Sequence, residues 1–413
     1  MKYSAISLLE TLKSKNIITE LKSGTVFYDE PKLYYYTADI NKDLSCLNEL
    51  PYEMTAGGIS ADSQQKALLK CLMECIERYS LFASTERYQI SSYNELDNEA
   101  LDPSLYTHSL ASRSKKLSWT EGYNVTSSVK TSLPAQLVNL NNKKFDKEEL
   151  LTTVISTGAA GGFNQESAVL GGIYEMVERD AFMTIYLNKI KAPMVQISLL
   201  KDKAINKLLD IYRRYKLEIF VFDITHDLGI PVFLSILVDR TGIGPAITTG
   251  AKANININTA IVGSMEEAFM ARPWIRYEMQ KNKKPVSLLN PSISRLDRAL
   301  LWSTKKNINK LNFLLRQNPI KYTLKKTLKI LNKKTEFSFV VNTLQKKGYV
   351  IYCKDITASE FITDGCKIYK TIIPGLQPLY LFKQEYNLKR LSAVSVFFGQ
   401  KKVSINTFPH PFL

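Results

Sequence analysis

AVLGGIYEMVERDAFM, from Ala168 to Met183, is the stretch from which the rest of the chain can be read. At about 100° per residue, Gly171, Glu175, Glu178 and Arg179 share one arc with Ser167 just ahead of them. Val169, Leu170, Ile173, Met176 and Val177 fill the other side, which makes the segment an amphipathic helix. The pattern recurs on both sides of it. ALLKCLMECIERYSLF, from Ala67 to Phe82, sets Lys70, Glu74, Glu77 and Arg78 on one arc and Leu68, Leu69, Leu72, Cys75, Ile76 and Tyr79 opposite. AIVGSMEEAFMARPWI, from Ala260 to Ile275, keeps the first acid as Glu267, has Met270 at the second, and carries Arg272 one position late. Internal repetition of this kind implies a module used more than once.

A glycine-containing stretch precedes each helix: Thr55 to Gly58, Ser156 to Gly162, and Thr249 with Gly250. These read as loops whose backbone approaches a ligand closely. A lone Glu-x-x-Glu-Arg is ordinarily a solvated helix face held by i,i+4 pairs. Two near-identical copies, a degenerate third and a glycine stretch before each point to function instead. Acids three residues apart face the same way, so two such helices face to face gather Glu74, Glu77, Glu175 and Glu178. Four carboxylates in one cleft repel unless cations lie between them. Hard oxygen ligands suit Mg2+, and Mg2+ suits a nucleoside triphosphate. Arg78 and Arg179 can fork onto phosphate or brace the acids. No G-x-x-x-x-G-K-[ST] stretch occurs, so a P-loop ATPase is excluded.

Composition narrows the remaining classes. With 413 residues, 45% of them hydrophobic, the chain can bury one or two sizeable cores. No run of 18 apolar residues occurs, and the start is a poor signal peptide, so neither a membrane span nor secretion is expected. Cys46, Cys71, Cys75, Cys353 and Cys366 lack paired spacing and read as buried free thiols of a reducing cytoplasm. Histidine is too sparse for a zinc site. The net charge of +16 comes from lysine clusters such as Lys281 to Lys284 and Lys321 to Lys333, which read as solvated faces. No nucleic-acid motif accompanies them.

The three motifs in this order resemble the YcaO family, over roughly residue 50 to the C-terminus. Further stretches carry the likeness: GYVIYCKDITASEF, then IIPGLQPLYLF with Pro374 to Pro378, LPAQLV from Leu133 to Val138, and the terminal Pro409, His410, Pro411 and Phe412. The last two look like the azoline-forming cyclodehydratase branch. The resemblance implies ATP and Mg2+ as cofactors, with Glu74, Glu77, Glu175 and Glu178 at the metal and nucleotide. Arg78 and Arg179, and more weakly Glu267 and Arg272, would join them. It also implies a tail close to the active site, making Pro409 and Pro411 candidate site residues. The implied reaction converts Cys, Ser or Thr of a ribosomally made precursor peptide to thiazoline or oxazoline, through phosphorylation of the backbone amide oxygen. The implied partners are that peptide, a leader-binding protein resembling a ubiquitin-activating enzyme, a flavin dehydrogenase, and a second copy in a homodimer. Departures from the family pattern are Lys70 for serine, Phe163 and Ser167 for asparagine and glutamate, and Met270 for glutamine. They leave two alternatives open, a thioamide-forming enzyme and a docking scaffold without turnover.

The intermixed elements lack a βαβ rhythm, so an α+β fold is expected, a composite of mixed or antiparallel sheets packed with amphipathic helices. Its divisions are a short N-terminal segment (1–50), an ATP-binding domain (51–385) and a tail (386–413). Helices are expected over Ile6 to Leu21, Leu300 to Leu315, Tyr322 to Leu331 and Phe339 to Lys346. Strands are expected at Leu33 to Tyr36, Leu137 to Leu140, Thr152 to Ile155, Ile219 to Asp223, Val232 to Asp239, Tyr349 to Lys354 and Lys367 to Ile373.

Overall fold

The computed structural model describes residues 5–25, 27–44, 54–83, 86–96, 99–153, 155–282, 293–320, 333–381, 384–400 and 404–412. The strands are β1 (Ile18–Ser23), β2 (Tyr34–Ile40), β3 (Thr55–Ser60), β4 (Gln89–Ser91), β5 (Leu117–Asn124), β6 (Val129–Pro134), β7 (Ala159–Gly162), β8 (Leu217–Asp223), β9 (Val232–Asp239), β10 (Ile247–Ala253), β11 (Tyr352–Asp355) and β12 (Lys367–Ile372). The helices are α1 (Ala5–Ser14), α2 (Gln64–Phe82), α3 (Ser104–Thr107), α4 (Gln165–Leu187), α5 (Lys203–Arg214), α6 (Ile257–Met270), α7 (Arg272–Lys281), α8 (Arg295–Trp302), α9 (Asn312–Leu315), α10 (Lys333–Lys346) and α11 (Leu388–Phe397). The fold is α+β, and every paired strand named here runs antiparallel to its neighbour.

Three sheets organise it, in the orders β1-β2-β3, β10-β9-β8 and β4-β5-β11-β12-β7, with β6 on β5. In each, an edge strand (β3, β7 or β10) leads through two or three residues into one of the repeated helices. The helices start on side-chain caps: Ser63, Asn164 and Asn256 accept from the backbone of Lys66, Ser167 and Thr259. So short a connection folds each helix back over its own strand. Each strand also touches a second repeated helix, β7 reaching α2, β10 reaching α4 and β3 reaching α6. The three modules thus close into a ring. Helix α4 lies deepest in it, buried from Ala168 to Leu187 on most sides.

Of the expected glycine loops, Thr55 to Gly58 and Thr249 with Gly250 lie in β3 and β10, and Ser156 to Gly162 is a turn, with Gly158 at φ 84°, that runs into β7. A Cβ on Gly58 would stand 2.0 Å from the Ala67 carbonyl oxygen, and one on Gly250 would stand 2.3 Å from the Ala268 nitrogen. Glycine is needed there for contact between strand and helix. The first helix stops at Ser14 because Asn16 turns the chain through φ 54°, and Ile18–Ser23 then pairs with β2. Leu137 to Leu140 is buried but not a strand; a 3-10 turn spans Ala135–Leu137. Thr152 and Thr153 bond the Glu385 carboxylate in place of a neighbouring strand. Leu300 to Leu315 breaks after Trp302, where the Asn307 side chain takes the Leu301 carbonyl, and resumes as a 3-10 turn and α9. Tyr322 to Leu331 lies outside the described residues. The other expected strands and the Phe339 to Lys346 helix correspond to β2, β8, β9, β11, β12 and α10, with ends shifted by a few residues.

Cys71, Cys75, Cys353 and Cys366 are buried free thiols. No helix among the described residues is long and apolar enough to cross a membrane. Strand β2, ahead of residue 50, pairs with β3 beyond it, so the two sides of that boundary share one sheet.

Candidate active site

The ring brings the acids of α2, α4 and α6 together through a repeated set of backbone bonds. Gly57 and Gly158, at matching places ahead of α2 and α4, donate N–H to Glu74 (2.7 Å) and Glu175 (2.9 Å) of their own helices. The next module supplies the other two: Gly161 donates to Glu77 of α2 (2.6 Å) and Ala253 to Glu178 of α4 (3.1 Å). Where the pattern would place a third acid, the sulfur of Met270 lies 3.0 Å from the Cβ position of Gly57.

The acids then divide into two kinds, a distinction invisible in the motif. Glu74 and Glu175 spend their second oxygen on Arg78 and Arg179, both at 2.6 Å. Arg78 and Arg179 therefore act as braces, with Arg179 further fixed by Thr157 at 2.7 Å. Glu77 and Glu178 each keep an oxygen with no hydrogen bond among the described residues, and Glu267 keeps both.

Their electrostatics follow from burial without partners. Glu77 is pushed up to about 8 by burial and by Glu74, against the Gly161 N–H, with Glu175 adding to the rise. Glu267 is likewise pushed up to about 8, by burial and then by Glu178, while Lys252 and Arg179 oppose. Burial raises Glu178 too, with Lys252 the main opposing charge. Each acid feels acids of other helices, so these side chains share one electrostatic site.

Lys252 on β10 carried no signal in the sequence, yet its ammonium lies 3.8 Å from Glu178. Its stem lies along α6 where Gly263 has no side chain: a Cβ there would stand 2.8 Å from Lys252 Cγ. Glu178, and further off Glu267, Glu175 and Glu77, raise its pKa. Lys70 is engaged elsewhere, bridging Glu266 of α6 at 2.8 Å, whose other oxygen takes the Ala61 N–H. Sequence reasoning passed over Glu266 because it precedes the motif acid and sits on the buried side.

Arg272 is not in this site. It opens α7, where Pro273 interrupts the helical ladder, and its guanidinium bonds the buried Glu30 (2.6 Å) and Asp239 (2.7 Å). The tail lies one to two turns beyond Arg179. The Pro409 carbonyl accepts from Trp302 and Tyr186, the Pro411 carbonyl accepts from Thr249, and Phe412 packs on Phe182 with ring centres 4.9 Å apart. His410 bonds the Tyr380 carbonyl, and burial holds it neutral. Phe163 is exposed, and Ser167 bonds the Asn164 cap.

Next to Arg179 in α4, Asp180 anchors the stretch from Pro374 to Pro378. It accepts the Gln377 N–H at 2.7 Å and pairs with Arg390, also at 2.7 Å. His226 stands 3.0 Å from Asp180 and 3.1 Å from Asp227. Three distant stretches supply this network, so no local pattern announced it.

The donor set fits a hard divalent cation: buried carboxylates, unfilled oxygens, and charge that needs neutralising. Among the described residues no group of three or more Asp, Glu, His or Cys side chains is placed to hold a metal ion as it stands. The backbone donors and arginine braces already hold much of the carboxylate surface.

Comparisons with known proteins bear on the family and the fold. The family model for YcaO cyclodehydratase, ATP- and Mg2+-binding, matches residues 60–377. The fold is similar to a heterocyclase in complex with substrate and cofactor, at TM-score 0.77 and 22% identity, over 99% of this chain and 57% of that one. It is also similar to YcaO from Methanopyrus kandleri bound with AMPPCP and Mg2+, at TM-score 0.65 and 15% identity, over 90% of each chain. An uncharacterised protein of Methanothermobacter thermautotrophicus is 24% identical over 212 residues, 51% of this chain and 55% of that protein. The chain thus spans little more than half the length of these first and last relatives.

Proposed function

The chain belongs to the YcaO family, and we propose that it is an ATP-dependent peptide cyclodehydratase forming thiazoline or oxazoline from Cys, Ser or Thr of a ribosomally made precursor peptide. The observation that carries this reading is the set of partly unbonded acids, Glu77, Glu178 and Glu267, drawn together from three helices. In this reading residues 51–385 are the catalytic unit and 386–413 a tail.

In this reading the side-chain thiol or hydroxyl of the peptide adds to the preceding carbonyl carbon. Amide oxygen is a poor leaving group, and Mg-ATP, when bound, supplies the phosphoryl group that makes it a good one. Glu77, Glu178 and Glu267 would hold the cation. Arg78 and Arg179 hold Glu74 and Glu175 in place, so the acids do not reorganise during the step. Lys252, whose stem passes over Gly263, would offer a positive charge to the phosphates. Asp180, through Gln377, ties the Pro374 to Pro378 stretch to the helix that carries Glu175 and Glu178. Catalysis here is largely positioning and charge neutralisation.

Leader recognition falls to a separate partner resembling a ubiquitin-activating enzyme, and a flavin dehydrogenase oxidises the azoline within the same complex. Both follow from the branch resemblance, as do the homodimer and the cytoplasmic setting. The second reading, a docking scaffold, draws on Met270, which puts a thioether where the repeat calls for a polar ligand.

One experiment separates these readings. The purified chain with its partner and a Cys-containing precursor is incubated with Mg2+ and ATP, and the peptide is weighed by mass spectrometry. Loss of one water per ring, abolished in Glu77→Gln and Glu178→Gln, is the expected result. Gain of sulfur for oxygen would indicate thioamide formation, and an unchanged mass without ATP turnover would indicate a scaffold.

A further inference from the structure

A cavity of about 440 Å3 opens beside the acids, on the far side of Arg179. That is within the roughly 300–1,000 Å3 of pockets that take small ligands or peptide side chains. Arg179 and Met176 of α4 form one wall, and Leu376 and Gln377 of the Pro374 to Pro378 stretch form another. Arg179 also pairs with Glu175, so a single side chain separates the cavity from the carboxylate site.

The polar groups around the cavity are mostly spent on one another. Glu385 holds Thr152 and Thr153, and Lys370 bonds the Ile155 and Thr157 carbonyls. Gln377 bonds the Pro378 and Glu385 carbonyls. The greater part of what remains for an occupant is apolar, with His108 and Asn387 among the polar exceptions, and it continues to a rim where Leu105 and Leu150 are 49% and 69% exposed. Paired leucines left in water at the mouth of an apolar cavity mark a contact surface.

We infer that this cavity is the peptide subsite next to the reacting residue, taking an aliphatic or aromatic side chain of the substrate. The inference rests on the cyclodehydratase reading and adds a substrate class to it: precursors with an apolar residue flanking the modified Cys, Ser or Thr. A peptide fits better than a free small molecule because the cavity is open along its leucine rim and adjoins the place where a peptide carbonyl must lie.

The test uses the full chain and N-acetylated, C-amidated hexapeptides in which the residue beside one cysteine is Leu, Phe, Ser or Asp. Binding is followed by ligand-observed NMR, with Mg2+ and a non-hydrolysable ATP analogue titrated separately by calorimetry. The Leu and Phe peptides should bind at least about tenfold more tightly than the Ser and Asp peptides. The paired change Leu105→Asp and Leu150→Asp should erase that preference. Both side chains are at the exposed rim, and a thermal melt checks that the variant is folded. Equal binding of all four peptides, binding of none, or a preference that survives the paired change would overturn the subsite. If the preference appears while the wild-type chain fails to bind Mg-nucleotide, the subsite stands and the ATP-dependent reading falls.

Discussion

Loading the site with Mg2+ and a non-hydrolysable ATP analogue should expel protons from Glu77 and Glu267. Both carboxyls are pushed up to about 8, the first by burial and Glu74, the second by burial and Glu178. At pH 7 each is therefore about nine-tenths protonated in the free protein, yet each must be ionised to hold a cation. Proton release should approach about two per site at pH 7, fall to about one at pH 8 and nearly vanish at pH 9. By the same linkage, the apparent affinity should rise roughly thirtyfold from pH 7 to 8 and only about threefold from 8 to 9. The nucleotide's own phosphate titrates near pH 6, below this window. Calorimetry in buffers of different ionisation heat counts the protons directly. The metal-free protein should show the matching stability trend. An acid whose pKa is raised on folding stabilises fully below its unfolded value of 4.5, and that contribution is lost as pH rises through about 8. Heat independent of buffer, with affinity flat from pH 7 to 9, would refute the proposal that these two acids face the cation.

Further outcomes follow from the same contacts. Lys252→Met keeps the stem that packs on Gly263 but removes the charge that lowers Glu178 and Glu267, so the pH profile of Mg-nucleotide binding should move upward. Arg390→Met leaves the wholly buried Asp180 without its guanidinium and should cost about 3–5 kcal/mol, read by denaturant unfolding. In the wild type, burial opposes protonation of His226, but Asp180 and Asp227 raise its pKa above 6.5. The stability it contributes is thus present below 6.5 and lost as pH rises through the raised value, a decline that His226→Gln should remove. Gly58→Ala drives a methyl into the Ala67 carbonyl and the Cys71 nitrogen of α2 and should cost about 1–3 kcal/mol or more in the same assay.

The three repeated helices were legible because amphipathic periodicity and acid spacing are local properties. The strands beside them were not: glycine is a turn former in isolation, and only the assembled fold shows that Gly58 and Gly250 lie against a helix too closely for a Cβ. Arg272 misled because its place in the repeat matched to within one residue, whereas Pro273 starts a new helix there and turns it toward Glu30 and Asp239. Lys252 gave no sign because its importance comes from a groove at Gly263 in another element. The same holds for the partnership of Asp180, His226, Asp227 and Arg390, which exists only once the sheets are assembled. The division of the acids into braced and open ones depends on which backbone N–H and which arginine reaches each oxygen, and side-chain periodicity cannot give that.

The most direct test is a crystal of the chain with Mn2+ in place of Mg2+ and a non-hydrolysable ATP analogue, examined by anomalous scattering. Metal peaks at about 2.0–2.2 Å from oxygens of Glu77, Glu178 or Glu267, with the triphosphate beside Lys252, are the expected result. Metal and triphosphate bound away from α2, α4 and α6, with these acids still turned to their backbone donors alone, would contradict it.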